Sequence, residues 1–212
     1  LARNLGQSAT LTTLAKDVYA TDEGQKPSDE NEREISKHLD LLARMYLIDE
    51  VPGWVPASRS PARMRVKPKR YFADPSLAVS LLGLSPRSLL EDWQTFGLAF
   101  ENLCMRDLDV YARALPDAGS QPLRYYHDDS NLEIDAVIEL ADGRWGACEI
   151  KLSQDKVDKA AAGLLRMRDK LLKDKLHRVK EPSFLLVLTG MGEAAYRRAD
   201  GVLVVPVRSL GA

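Results

Sequence analysis

The sequence predicts a mixed α/β protein built from two segments, residues 1–84 and residues 85–212. Three observations lead to this prediction. Apolar residues recur at helical spacing near the start of the chain, a long amphipathic helix is indicated from about Leu89 to Ala114, and apolar runs such as SFLLVLT and GVLVVPV are typical of buried strands. The element order after residue 85 is αβββαββ, which favours a mixed sheet flanked by helices.

In the first segment the predicted order is helix, helix, strand, basic loop and strand. A short helix begins at Leu11, and Ile35, Leu39 and Leu42 recur at i, i+4 and i+7, which gives a second helix one apolar face. The stretches YLIDEV and YFAD predict strands. This order is typical of a small winged-helix domain. Between the strands lie six basic residues and no acid: Arg59, Arg63, Arg65, Lys67, Lys69 and Arg70.

Two interpretations of this segment stay open. In one, the second helix enters the major groove of DNA and the basic loop binds phosphates. In the other, the segment is a packing or linking module, because acids at the start of that helix would repel phosphates. The acids are Asp29, Glu30, Glu32 and Glu34.

The composition is that of a folded chain and by itself indicates no partner, so any attraction to nucleic acid must come from local patches of charge. Hydrophobic residues make up 45% of the 212, enough for a substantial core, and a formal net charge of -1 gives no overall attraction to nucleic acid. Cys104 and Cys148 lie far apart without CxxC spacing, which predicts a reducing, cytoplasmic location. No signal peptide or membrane span is indicated, so no membrane partner is expected. Because the chain opens on Leu1 in mid-pattern, we expect it to be a piece of a longer protein.

Two predicted strands of the second segment, EIDAVIEL and RWGACEIK, carry acids. Along the first strand, alternation places Asp135 and Val137 on one face and Ile134 and Ala136 on the other, and the second, apolar face is expected to be the packed one. The residues Ala141-Asp142-Gly143 between the strands suit a three-residue hairpin loop with Gly143 in the left-handed conformation.

This loop predicts the register of the hairpin. If Leu140 pairs with Arg144, then Asp135 lies directly across from Glu149. Two carboxylates facing each other repel, so we expect a cation between them. Mg²⁺, or Mn²⁺ in its place, fits because it takes oxygen ligands from one or two carboxylates and fills its remaining positions with water and substrate phosphate.

Two further residues extend this candidate site. Lys151 follows Glu149 on the same strand face, where it can orient or deprotonate an attacking water or neutralise charge on a phosphate. Glu101 lies upstream on a helix face that it shares with Leu98, Cys104 and Met105. An acid on a partly apolar face needs a partner or a function, and one such function is to bind the metal ion.

A Glu on the first helix, an Asp on a strand and E-x-K on the next strand resemble the PD-(D/E)XK nuclease superfamily. The resemblance implies a restriction-endonuclease-like mixed sheet in which the acids hold Mg²⁺ and the lysine assists phosphodiester hydrolysis. The chain departs from the pattern at Ile134, where the motif has Pro. On this mapping the candidate metal ligands are Asp135, Glu149 and Glu101, and these three with Lys151 are the candidate catalytic residues.

Nearly the whole chain is also similar to the C-terminal portion of a bacterial and archaeal group of AAA-type ATPases. The segments that carry this similarity are LARNLGQ, HLDLLARMYLIDEVP, KRYFADPSLAVSLLG, FENL, LEIDAVIE and CEIKLS. In that group a P-loop domain precedes a winged helix and an uncharacterised PD-(D/E)XK-like domain. The similarity implies that the ATPase domain of the full-length protein is a partner, and that ATP binds only there, since this chain has no G-x-x-x-x-G-K-[ST].

A basic stretch that follows the acidic strands bears on the substrate. Arg166, Lys170 and Lys173 lie on one predicted helix, where they can bind a phosphate backbone or simply form a solvated helix face. The leading prediction is therefore a module that acts on nucleic acid by Mg²⁺-dependent phosphodiester hydrolysis. The alternative is a catalytically inactive nuclease fold that serves its ATPase as a DNA- or protein-binding or regulatory module.

Overall fold

The structure is a computed structural model that describes residues 1–19, 26–56, 67–173 and 179–210. The described residues form two compact units, one from 1–51 and 67–102 and the other from 52–56 and 103–210. In these parts of the chain, no helix is both long and apolar enough to cross a membrane.

The first unit contains the helices and strands predicted for the start of the chain. It also has a short helix after the second strand that was not predicted, and the helix predicted to begin at about Leu89 is interrupted at Asp92. In order, the helices and strands are α1 (Leu11–Tyr19), α2 (Asp29–Arg44), β1 (Ile48–Val51), β2 (Lys69–Phe72), α3 (Pro75–Leu81), α4 (Pro86–Glu91) and the first part of α5 (Trp93–Ala114). β1 and β2 pair antiparallel, with Ile48 opposite Phe72. Ile35 and Leu39 are buried with these two residues in one apolar cluster, as the helical spacing in α2 predicts.

The second unit is built on a six-stranded mixed sheet flanked by helices. The strands are β3 (Ala118–His127), β4 (Glu133–Leu140), β5 (Trp145–Lys151), β6 (Phe184–Thr189), β7 (Tyr196–Arg197) and β8 (Leu203–Pro206), and α6 (Val157–Lys173) leads from β5 toward β6. Their order across the sheet is β3-β4-β5-β6-β8-β7. β5, β6 and β8 are parallel, whereas the other neighbours are antiparallel. The predicted mixed α/β architecture is confirmed; only the two-residue edge strand β7 was too short for its alternation to be recognised.

The hairpin of β4 and β5 has the predicted register. Ala136 pairs with Cys148 and Glu139 with Trp145. At the turn, Gly143 has a φ of +81°, and its N–H donates to the carbonyl of Leu140 at 3.0 Å. The left-handed conformation at this position favours glycine, because the Cβ atom of any other residue would clash with the backbone.

Both faces of this hairpin are packed, so the expectation of a single packed face was wrong. Val137 and Ala147 are 0% and 1% exposed and lie in one cluster with Ala161, Leu164 and Met167 of α6. A connection between parallel strands must cross over the sheet, and here it carries α6 onto that face. The alternation within β4 contains no information about this helix.

Candidate functional site at the end of the β4–β5 hairpin

Three of the predicted site residues meet where β4 and β5 lie side by side. Asp135 is 8% and Glu149 7% exposed, so both carboxylates are buried. The Lys151 Nζ lies 3.0 Å from Asp135 Oδ2 and 2.5 Å from Glu149 Oε2. The cation between the two acids is therefore the ammonium of Lys151.

A backbone hydrogen bond fixes the Asp135 carboxylate. The pairing of β4 with β5 extends to Ala136 and Cys148. Just beyond this pair, the N–H of Ile150 donates to Asp135 Oδ2 at 2.7 Å. Asp135 thus binds both a main-chain and a side-chain donor of β5, which accounts for how a buried acid is stabilised at this position.

The charges of the cluster depend on one another. Burial and the neighbouring Asp135 carboxylate raise the pKa of Glu149 above its usual range. Burial lowers the pKa of Lys151, but the Asp135 and Glu149 carboxylates outweigh this effect and hold that pKa above its ordinary value. Lys151 is therefore charged at neutral pH, and in this arrangement it acts as a hydrogen-bond donor and counter-charge rather than as a base.

A cleft of about 610 Å³ opens over this cluster. The helix α6 forms its basic rim through Lys159 and Arg166, and Lys156 lies just before the helix. Arg166 was predicted from the sequence, whereas Lys156 and Lys159 were missed. The spacing in the sequence could have identified Lys159, because Lys159 and Arg166 are seven residues apart and so share one helix face. The other lining residues are Asn131, Leu132, Glu133, Asp135, Glu149, Lys151, Ala160, Ala162 and Gly163.

The other two predicted basic residues of α6 differ in their surroundings. A second depression of about 610 Å³ is lined by Arg166, Lys170 and Lys173, together with neighbours on the same helix. The Lys170 Nζ lies 2.6 Å from Asp128 Oδ2. Partial burial of Asp128 favours its neutral form, but hydrogen bonds from Lys170 and Ser130 hold its pKa below the usual range. Lys170 thus ties the β3–β4 loop to α6.

The predicted site residue Glu101 has partners within the first unit. Its Oε1 accepts a hydrogen bond from the Tyr71 hydroxyl at 2.7 Å and lies 3.8 Å from Lys69 Nζ. Lys69 is only 4% exposed. This acid on a partly apolar helix face therefore has the partner that such a residue needs, and a ligand role for Glu101 stays a prediction.

The basic loop of the first segment is only partly described. Arg59, Arg63 and Arg65 lie outside the described residues. Arg70 donates from Nε to Glu50 Oε1 at 2.7 Å and from Nη1 to the carbonyl of Ala9 at 3.1 Å. Lys69 is buried and Arg70 is bound within its own unit, so a phosphate contact by either side chain stays a prediction. Lys67 is exposed.

The acid pair fits a hard divalent cation. Within residues 1–19, 26–56, 67–173 and 179–210, no three or more His, Cys, Asp or Glu side chains are grouped so as to hold a metal. Mg²⁺ nevertheless binds through one or two carboxylates with water at its remaining positions, and Mn²⁺ takes similar oxygen ligands. Asp135 and Glu149, buried beneath an open cleft, match that donor set.

We expect Asp135→Asn to leave the free energy of unfolding within about 0.5 kcal/mol of wild type, or to raise it, in metal-free buffer. The asparagine oxygen can still accept from Ile150, while the change removes one of two neighbouring negative charges. Asp135→Ala removes the acceptor as well and is expected to cost about 1–2 kcal/mol. Urea unfolding in the presence of a chelator measures both. If both variants lost equally large amounts of unfolding free energy, the expected relief of repulsion between the two acids would be contradicted.

Comparisons with known proteins identify two regions of the chain. A family model described as a domain of unknown function (DUF4143) matches residues 96–210. Another, described as a domain of unknown function (DUF8612), matches residues 1–88. No curated protein matches the chain. Among solved structures, the chain is similar to a refined half-complex from the tetradecameric assembly of Thermococcus gammatolerans McrB AAA+ hexamers with bound McrC. The identity is 11%, the TM-score 0.31, and the match covers 92% of this chain and 69% of that chain. At that TM-score the likeness does not define a shared fold.

Proposed function

Since the chain belongs to the DUF4143 family, whose function is not known, we propose a function from the site itself: metal-dependent hydrolysis of phosphodiester bonds in nucleic acid. The observation that carries this proposal is the contact of Lys151 Nζ with the buried carboxylates of both Asp135 and Glu149. Two acids and a lysine on adjacent strands, beneath a cleft with a basic rim, can bind a metal ion and a phosphate side by side.

Each residue has a distinct role in this proposal. Asp135 and Glu149 hold Mg²⁺ or Mn²⁺, which when bound supplies Lewis acidity at the phosphate. Lys151 is already charged, so it donates hydrogen bonds and positive charge to the phosphate oxygens on which negative charge develops. Exposed Arg166 at the rim attracts the polyanionic substrate.

The order of elements supports a more specific fold assignment. Asp135 on β4, Glu149 and Lys151 on β5, and α6 leading on to parallel β6 support a PD-(D/E)XK nuclease fold for the second unit. Two helices followed by two paired strands support a winged helix for the first unit. Ile134 remains the departure from the nuclease motif.

We propose that the chain works as the C-terminal part of an AAA-type ATPase. The similarity of segments such as LARNLGQ and KRYFADPSLAVSLLG to that group supports this assignment. ATP would bind to a P-loop domain, whose motif this chain does not contain. Cys104 and Cys148 are both buried and form no disulfide, which is compatible with the reducing cytoplasm.

The same ion cluster supports a second candidate function. Because Lys151 already compensates Asp135 and Glu149, the cluster can be stable without a metal ion. A self-compensated site is what we expect of an inactive nuclease fold that binds DNA or protein, or that regulates its ATPase.

Metal titration and cleavage assays distinguish the two functions. We expect calorimetry to show one divalent ion bound per wild-type chain and none per Asp135→Asn chain, because the variant keeps the fold but loses a charged ligand. Cleavage of single-stranded, duplex and branched substrates should require Mg²⁺ or Mn²⁺ and disappear in the same variant.

Asp129→Asn is the matched control, since it neutralises an exposed aspartate of the β3–β4 loop. This variant is expected to bind metal and to cleave like wild type. If wild type and Asp135→Asn bind metal equally, or if neither binds, hydrolysis is excluded and the binding module is the function that remains.

A further inference from the structure

Four of the five basic side chains of α6 are arranged along one face of the helix, and Arg168 lies off this face. Residues 159, 163, 166, 170 and 173 follow one another at spacings of three or four, which keeps them in line on an α-helix. At about 1.5 Å per residue, this line is roughly 21 Å long. We call it the α6 stripe, and its members are Lys159, Gly163, Arg166, Lys170 and Lys173.

Three cations of the α6 stripe are available to an external anion. Lys159, Arg166 and Lys173 are exposed and have no ion-pair partner among the residues that the structure describes. Lys170 differs because it is bound to Asp128. Acids line both surfaces, Glu133 in the cleft and Asp169 in the depression, but neither is ion-paired with these three cations, so no internal ion pair has to be broken before a phosphate binds.

The cleft and the second depression adjoin each other along this helix. Both are lined by Ala162 and Arg166, the cleft on the side of Lys159 and the depression on the side of Lys173. The stripe therefore borders two neighbouring concave surfaces, the first at the acid cluster and the second nearer the C-terminal end of α6.

A glycine interrupts the stripe where the helix passes the acid cluster. A Cβ atom on Gly163 would lie 3.6 Å from Glu149 Oε1 and 3.9 Å from Ile134 Cδ1. Between Lys159 and Arg166 the helix thus has a bare surface that adjoins the proposed metal ligand. A backbone phosphate can approach Glu149 closely only where no side chain fills this gap.

From these observations we infer that one strand of nucleic acid lies along the α6 stripe, with its reacting phosphate over Gly163. Lys159 and Arg166 bind the phosphates on either side, and Lys173 binds the same strand further along. A single line of cations contacts one phosphate backbone, and a single strand is the simplest ligand that presents one. This inference rests on the proposed function for the identity of the reacting phosphate.

Binding without metal tests the path separately from the chemistry. Binding of a fluorescent single-stranded oligonucleotide is measured in a chelator over a range of salt concentrations, with Lys159→Gln, Arg166→Gln and the control Arg197→Gln. Arg197 is exposed on β7, three strands from β5. We expect each α6 variant to reduce affinity about five- to tenfold near 50 mM salt and to lower the salt slope by about 0.7, whereas the control leaves both unchanged.

A fourth variant tests the bare surface. Gly163→Leu replaces a helical glycine by a good helix former, so folding is expected to persist, which circular dichroism checks. Its side chain fills the gap beside Glu149, and oligonucleotide affinity should fall at least tenfold. Gly163→Ala serves if the leucine variant does not fold; its Cβ fits at ordinary contact distance, and a smaller loss of affinity is expected.

Three results would overturn the inferred path. In the first, wild type does not bind the oligonucleotide. In the second, all three Gln variants lose affinity equally, which would indicate only an effect of overall charge. In the third, a polyglutamate peptide competes as well as unlabelled oligonucleotide, which would indicate an acidic protein partner. None of these results bears on metal binding by Asp135 and Glu149, so failure of the path and failure of the proposed chemistry are distinguishable.

Discussion

Replacing Lys151 by methionine is expected to lower the free energy of unfolding by about 2–3 kcal/mol in metal-free buffer. The change leaves the Asp135 and Glu149 carboxylates buried without the cation that contacts both. Removing one partner of a fully buried ion pair costs roughly 3–5 kcal/mol. The expected loss is smaller because the Lys151 side chain is 30% exposed, so water partly screens the acids.

Divalent cations should reverse much of this loss. On the proposed function, a metal ion would have to compete with the Lys151 ammonium for the two carboxylates in wild type, whereas in Lys151→Met that competitor is absent. A ligand that binds only the folded state stabilises that state. The stabilisation grows with the logarithm of the ligand concentration divided by Kd. We therefore expect millimolar Mg²⁺ or Mn²⁺ to raise the melting temperature of the variant more than that of wild type.

Lys159→Met is the matched control for this experiment. Lys159 lines the same cleft and is exposed, and its loss is expected to change stability by less than about 0.5 kcal/mol and to leave the metal response unchanged. Equal stability of Lys151→Met and wild type without metal would contradict the role of the ammonium as internal counter-charge. If added metal raised the melting temperatures of Lys151→Met and wild type equally, competition between the metal ion and the Lys151 ammonium would be contradicted.

Replacing Asn102 by alanine is expected to cost about 3 kcal/mol in the first unit. Asn102 is 0% exposed; its Oδ1 accepts from the Phe72 N–H at 3.0 Å, and its Nδ2 donates to the Phe72 carbonyl at 2.7 Å. The side chain thus satisfies both backbone groups of one β2 residue. Each buried group that is left without a partner costs about 1–3 kcal/mol. Urea unfolding monitored by circular dichroism measures the loss.

Asn4→Ala provides the comparison for this variant. Asn4 donates an exposed hydrogen bond to Asp17 at 2.7 Å, which water can replace, so its loss should cost less than about 0.5 kcal/mol. If the two asparagine variants were equally stable, the Asn102 contacts with Phe72 would not be what holds β2 in place. Trp93, exposed on the same helix as Asn102, offers an optical probe of this region.

The features of the site that depend on residues close together in the chain could be predicted. Alternation in EIDAVIEL and the glycine in the loop were sufficient to predict that Asp135 lies across from Glu149, because a strand has a period of two and a short turn fixes the register. The repulsion between the acids also led to the prediction of a divalent cation between them, which stays a prediction. Identifying the cation that contacts both acids in the structure, the Lys151 ammonium, required knowing that a flexible side chain two residues further along folds back over both carboxylates.

Glu101 and Lys69 illustrate what the sequence did not contain. Each lies in a pattern that is typical of a site, an acid on a partly apolar helix face and a lysine in a basic run. In the structure they approach each other within 3.8 Å, and Glu101 also accepts from Tyr71. These partners are about 30 residues apart in the chain, so no local period relates them.

The sequence by itself determined the strands, the hairpin register and the position of its acids, because those features depend on contacts between residues close in the chain. Only the tertiary structure decided which cations and which surfaces surround the acids. The crossover from β5 to β6 carries α6 over the sheet, which buries Val137 and brings Lys159, Gly163 and Arg166 to the cleft. The physical reason is that helix packing is set by apolar surface contributed from the whole unit, which no single segment of the sequence encodes.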